Sequence, residues 1–118
     1  MSNTLPDLQL GVAATDFDAR PMLVGRVGED QVVVVKRGGE YFAVAALCTH
    51  YHGPLVDGLL TGDSIRCPWH HACFNLRTGS VERGPALDPL ERWQVDQQDG
   101  RVFVRGKLAP ARTPQRTT

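Results

Sequence analysis

At 118 residues the chain is long enough for one domain with a real core, and too short to join a cofactor-binding half to a catalytic half. Thirteen Lys+Arg balance thirteen Asp+Glu, so no global field draws the chain to nucleic acid or to an anionic membrane surface. The longest apolar run, Tyr41 to Leu47, is far below a membrane span, and the opening MSNTLPDLQLG lacks a basic region followed by an apolar one, so the chain reads as cytoplasmic with no membrane association.

In chain order, residues 14–20 (ATDFDAR) suit a single helical turn. Val32 to Lys36 and Glu40 to Leu47 are rich in β-branched, aromatic and apolar residues, and Arg37-Gly38-Gly39 between them predicts a hairpin. Gly58, Gly62-Asp63 and Thr78-Gly79 punctuate the middle of the chain, where Ser64 to Arg66 suits a short strand. Pro68, Pro85 and Pro89 interrupt any helix there. A second hairpin is predicted from Leu90–Val95 and Arg101–Val104, with a turn ending in Asp99-Gly100. No segment sustains a 3.6-residue period and no repeat is present, so the fold class is all-β, built of short antiparallel strands. Residues 1–108 read as the domain, and the Pro/Thr/Arg tail 109–118 as a disordered end or a truncated linker.

Three cysteines, Cys48, Cys67 and Cys73, with no export signal argue against a disulfide framework and for metal or redox chemistry. Cys48-Thr-His50 is followed by Cys67-Pro-Trp-His70, so each of two Gly/Pro-bearing segments offers one thiolate and one imidazole. Both follow apolar strands, which would aim two loop tips at one centre. A tetrahedral Cys₂His₂ zinc site in a non-redox binding module is the alternative. Zinc ligands, however, are usually spaced C-x₂₋₄-C and H-x₃₋₅-H rather than one of each per loop.

The two-part pattern C-x-H-x16-C-x2-H, with Gly-Pro-Leu after the first half and Pro-Trp inside the second, resembles Rieske-type [2Fe–2S] ferredoxin domains. The resemblance runs from about Leu8 to Arg105. The stretch CPWHHACFNLRTGSVERGPALDPL is most similar to the N-terminal Rieske domain of apoptosis-inducing-factor-like flavoprotein reductases, and ferredoxins of ring-hydroxylating oxygenase systems share much of it. The resemblance implies small antiparallel sheets in a base subdomain plus a two-loop cluster-binding part, about residues 46–85. It implies one [2Fe–2S] cluster, with Cys48 and Cys67 on one iron and His50 and His70 on the other.

It also implies a one-electron carrier and not an enzyme by itself, with a FAD/NAD(P)H-dependent reductase as donor, separate or as a C-terminal domain, and an oxygenase as a possible acceptor. High-potential relatives carry a disulfide between the two loops and a hydroxyl near the second histidine. Here Gly53, Trp69 and Ala72 stand at those positions, which predicts a low potential. Around the ligands, Pro54, Leu55, Trp69 and Phe74 are expected either as an apolar collar with a docking patch or as ordinary loop packing. His52 and His71 replace glycines usual in the family and are expected as exposed side chains or as part of a docking face. Cys73 is expected as a small buried filler, and Trp93 as a core residue.

Overall fold

The two predicted hairpins form where their turn residues allow a backbone with φ > 0. In the computed structural model, which describes residues 5–47, 54–68, 73–83 and 90–108, β3 (Asp30–Arg37) and β4 (Glu40–Ala45) are joined by Gly38-Gly39 at φ 57° and 86°. Further on, β9 (Arg92–Gln98) and β10 (Arg101–Lys107) are joined by Asp99-Gly100 at φ 51° and 79°. Two consecutive positive φ values make a primed turn, whose twist matches that of the strands it connects. Asp99 tolerates this region as few side chains do.

These hairpins, with β1 (Val12–Ala13) and β2 (Met22–Val27), make an antiparallel sheet in the order β1-β10-β9-β4-β3-β2. A second antiparallel sheet is β5 (Leu59–Thr61), β6 (Ser64–Arg66), β7 (Cys73–Asn75) and β8 (Val81–Arg83), paired in chain order. The expected helical turn is a 3₁₀ turn at Ala14–Phe17.

The run of four valines in β3 does not alternate with polar residues because both faces of the strand are covered. Val33 and Val35 enter one core with Val44, Ala46, Leu55, Ile65, Cys67, Phe74, Leu76 and Leu90, sandwiched between the sheets. Val32 and Val34 enter a second core with Leu8, Phe17, Ala43, Trp93 and Val104, covered by the N-terminal segment and the 3₁₀ turn. Trp93 is therefore the core residue it was expected to be. In the small sheet Leu60, Ile65, Phe74 and Val81 share one register row facing inward, and Leu59, Arg66 and Cys73 form the outward row.

Two predicted strands are each trimmed at one end. The Glu40–Leu47 segment leaves the sheet at Ala45, and Leu47 bridges Pro54 instead. The Leu90–Val95 strand starts only at Arg92, because Leu90 N–H donates to Gly79 and links the two sheets.

Arginines fasten the sheets to each other at the end away from the β6–β7 connection. Arg77 forks onto the Glu40 carboxylate with both terminal nitrogens, donates from Nε to Asp63 Oδ2 at 2.9 Å, and lies over the Phe42 ring with Cζ 5.1 Å from its centroid. Arg37 Nε donates to Gly62 O at 2.8 Å and Arg92 Nη1 to Arg77 O at 2.8 Å. The hydrogen bond from Arg77 holds the Glu40 carboxyl below its ordinary range. A carboxyl depressed in the folded state stabilises it above the unfolded-state pKa, and that contribution is lost as pH falls through the folded-state value. Arg77→Ala is expected to lower the thermal midpoint by a few degrees at neutral pH. Melts across an acid titration should show the gap to wild type shrinking as the pH drops below the carboxylate range. Because the group is exposed, added salt should narrow the gap as well.

Candidate metal centre

Two loops are rooted side by side on this scaffold. Residues 48–53 are clasped at both ends: Leu47 and Pro54 form an antiparallel bridge, and Leu55 N–H donates to Ala46 O at 2.9 Å. The chain then makes a 3₁₀ turn, Leu55–Asp57, closed by Gly58 N–H on Leu55 O at 2.9 Å. Residues 67–72 connect β6 to β7, whose pairing reaches Arg66 opposite Cys73.

Gly58 joins the two roots. Its backbone is extended, with φ −85° and ψ −169°, yet a Cβ there would fall 1.9 Å from Arg66 O and 3.2 Å from Leu55 O. Only a residue without a side chain lets the exit of the first loop lie on the strand end that carries Cys67.

Cys67 is 0% exposed and packs in the inter-sheet core that also holds Ala46 and Leu55 from the first root and Phe74 from the second. It is outside any disulfide. A cavity of about 230 Å³ lined by Asp57, Gly58, Leu59, Arg66, Cys67 and Pro68 opens beside it. Cys48, His50 and His70, the other candidate ligands, lie outside the described residues, as do His52, Trp69 and His71.

The described part fits a group bridged by both loops. A buried thiol stands where the roots of the two segments meet, and in the sequence the candidate donors, two cysteines and two histidines, are divided equally between those segments.

Two expectations change. Leu55 and Phe74 are 0% exposed, so they pack the core around Cys67 and cannot serve as a docking patch. Flanking a loop in sequence did not put them at the surface, because the 3₁₀ turn and the β7 pleat both turn them inward. Pro54 is half-buried. Cys73 is not a buried filler either. It is half-buried in the outward row of the small sheet and lines a surface cavity of about 390 Å³ with Thr61, Ser64, Arg66 and Glu82. Neither Gly58 nor Arg66 stood out in the sequence as part of the site. Gly58 carried a signal only as a glycine three residues past Leu55 in an otherwise unremarkable loop.

Comparison with known proteins places this arrangement. The Rieske [2Fe–2S] domain family model matches residues 8–94. Human apoptosis-inducing factor 3 is 39% identical over 102 residues, covering 86% of this chain and 17% of that protein, so the match spans less than a fifth of its length. Ferredoxin CarAc of Metapseudomonas resinovorans is 37% identical over 84 residues, covering 71% of this chain and 78% of that ferredoxin. Among solved structures, one chain of a complex of reduced oxygenase and oxidized ferredoxin in carbazole 1,9a-dioxygenase superposes with a TM-score of 0.70 at 34% identity, covering 79% of this chain and 96% of that one.

Proposed function

The chain belongs to the Rieske [2Fe–2S] domain family, and on that premise we propose that it is a one-electron carrier and not an enzyme by itself, taking electrons from a FAD/NAD(P)H-dependent reductase and passing them to an acceptor such as an oxygenase. The family's cofactor is a [2Fe–2S] cluster, which supplies reversible one-electron exchange. The observation that carries the reading is the buried Cys67 thiol at the joint root of two loops. In this reading Cys48 and Cys67 hold one iron, and His50 and His70 the other.

What the chain's own residues do follows from their placement. The Leu47–Pro54 bridge and the Gly58 contact fix the distance between the two ligand-bearing loops. Rigid roots limit the rearrangement that accompanies electron gain and loss. Leu55, Phe74 and Ala46 keep water from the Cys67 sulfur, so the thiolate stays a metal ligand and not a solvent-exposed nucleophile. Glycine at 53, tryptophan at 69 and alanine at 72 offer neither a disulfide nor a hydroxyl donor to the cluster region. These identities support a potential at the low end of the Rieske range, suited to a flavin donor.

Two kinds of partner fit the relatives. Similarity to a short segment of apoptosis-inducing factor 3 supports a reductase in the same polypeptide, with 1–108 as the Rieske domain and 109–118 as a linker. Similarity over most of a ferredoxin, and to a chain of an oxygenase–ferredoxin complex, supports an oxygenase acceptor, with the reductase then a separate protein. Among the described residues no helix is long and apolar enough to cross a membrane, and the proposed location is the cytoplasm.

Metal and sulfide analysis with EPR tests the reading. Two irons and two labile sulfides per chain, a red-brown colour and a Rieske-type EPR signal on reduction are expected. A colourless protein holding one zinc would overturn the reading in favour of a non-redox binding module.

A further inference from the structure

Arg66 ends β6 and immediately precedes Cys67. Its backbone pairs with Leu59 on one side and Cys73 on the other, which sets its side chain in the outward row of the small sheet. There it walls two openings, the cavity of about 230 Å³ that also touches Cys67 and the cavity of about 390 Å³ that touches Cys73. Even in this surface position the Nε atom is shielded from solvent and has no hydrogen-bond acceptor. Arg92 Nε is likewise shielded without an acceptor, but Arg92 donates from Nη1 to Arg77 O, whereas Arg66 makes no side-chain hydrogen bond or ion pair among the described residues. Arg26, Arg77 and Arg105 have carboxylate partners, and Arg37, Arg92 and Arg101 donate to main-chain carbonyls.

The two acids that share its cavities do not pair with it. Glu82 gives its carboxylate oxygens to the Ser64 hydroxyl and the Asn75 amide. Asp57 is exposed and forms no ion pair among the described residues. A cationic donor removed from water with no acceptor is unfavourable on its own account, and such groups persist where a nearby charge compensates them.

We propose that Arg66 is an electrostatic tuning residue: a guanidinium with no carboxylate partner among the described residues, on the wall of the cavity that Cys67 also lines, so that the site better accommodates the negative charge gained on reduction. This rests on the reading of Cys67 as a cluster ligand. With two ferric ions, two sulfides and two thiolates the oxidised centre is formally neutral, and one added electron makes it −1. No bond is made or broken and no proton is required. The guanidinium interacts weakly with the neutral state and favourably with the anionic one, so it raises the potential. Shielding of Nε on the cavity wall reduces the screening of this interaction. It partly offsets the absence of the disulfide and the hydroxyl that high-potential relatives carry.

The test is a spectroelectrochemical titration of the cluster-loaded protein, comparing wild type with Arg66→Gln and Arg66→Lys. Loss of charge in Arg66→Gln is expected to lower the reduced-to-oxidised ratio at fixed poise about tenfold, which is about 59 mV for a one-electron couple. Arg66→Lys should stay close to wild type, and iron content and EPR g-values should be unchanged in both. Arg66→Met serves as the neutral variant if glutamine does not yield loaded protein. A loaded neutral variant with an unchanged potential overturns the proposal, as does a lysine variant shifted as far as the neutral one. A wild-type protein without any Rieske signal would instead overturn the ligand reading on which the proposal rests.

Discussion

Gly58→Val is expected to leave little or no cluster-loaded protein, with iron per chain falling far below that of wild type and a loss of about 3 kcal/mol or more in folding stability. The position is not strained in φ, so the effect does not come from backbone preference. It comes from collision: a Cβ would sit 1.9 Å from Arg66 O and 3.1 Å from Arg66 C, both main-chain atoms. A flexible side chain could rotate away, but a strand carbonyl cannot.

Relief requires either that the 3₁₀ turn Leu55–Asp57 lift from β6 or that β6 shift against β5. The first displaces Leu55 from the core and loosens the clasp on residues 48–53, and the second moves Cys67 itself. Both separate the roots of the two segments that carry the proposed ligands. Gly58→Ala should show the same defect, since the first added carbon already collides. Gly106→Ala, where nothing lies within 4 Å of the added carbon, should change stability by no more than about 0.5 kcal/mol and leave iron content unchanged. Chemical denaturation together with iron analysis on the three variants separates the contact from a general cost of replacing glycine.

This contact also shows which parts of the architecture were legible in the sequence. The hairpins were, because Gly38-Gly39 and Asp99-Gly100 are local turn signals between residues that favour strands. The valine run was legible as a strand, but its burial on both faces was not, since that depends on a second sheet and an N-terminal segment closing over it. The strands β5, β7 and β8 have three residues each, too few to establish an alternation. The outward row of Leu59, Arg66 and Cys73 in the small sheet exists only once the register is set.

The candidate ligand pattern stands out in the sequence because each Cys/His pair is contained in four residues or fewer and the two pairs support each other; of its members only Cys67 lies among the described residues. What surrounds the pattern does not stand out. For Leu55 and Phe74 the sequence left a docking collar and ordinary loop packing both open, and only the 3₁₀ turn and the β7 pleat decide for packing by sending them into the core. The Arg77 fastening joins the β3–β4 turn, the β5–β6 turn and the chain after β7, a convergence that no spacing in the sequence encodes.

Cysteines 67 and 73 make the second large prediction, because they are six positions apart and the structure gives them opposite surroundings. Cys67 is fully buried at the start of the loop, and Cys73 faces outward from β7 into a surface cavity. Cys67→Ser is expected to abolish the Rieske EPR signal and reduce bound iron to near zero. Serine offers a hydroxyl in place of a soft thiolate, and the site's core setting supplies nothing to deprotonate it. The same variant leaves a hydroxyl in an apolar core, at a cost of about 1–3 kcal/mol if it finds no partner, so its melting temperature should fall as well.

Cys73→Ser should keep two irons per chain, the EPR signal and the potential, because the replaced group borders solvent. Measuring iron, EPR and thermal midpoint on both variants distinguishes ligation from packing. If Cys67→Ser remained folded and retained the signal, the ligand assignment would fail. If folded Cys73→Ser lost the signal, the thiol would have to be reassigned to the other cysteine. With both outcomes as expected, the remaining thiolate must come from Cys48, the only other cysteine in the chain.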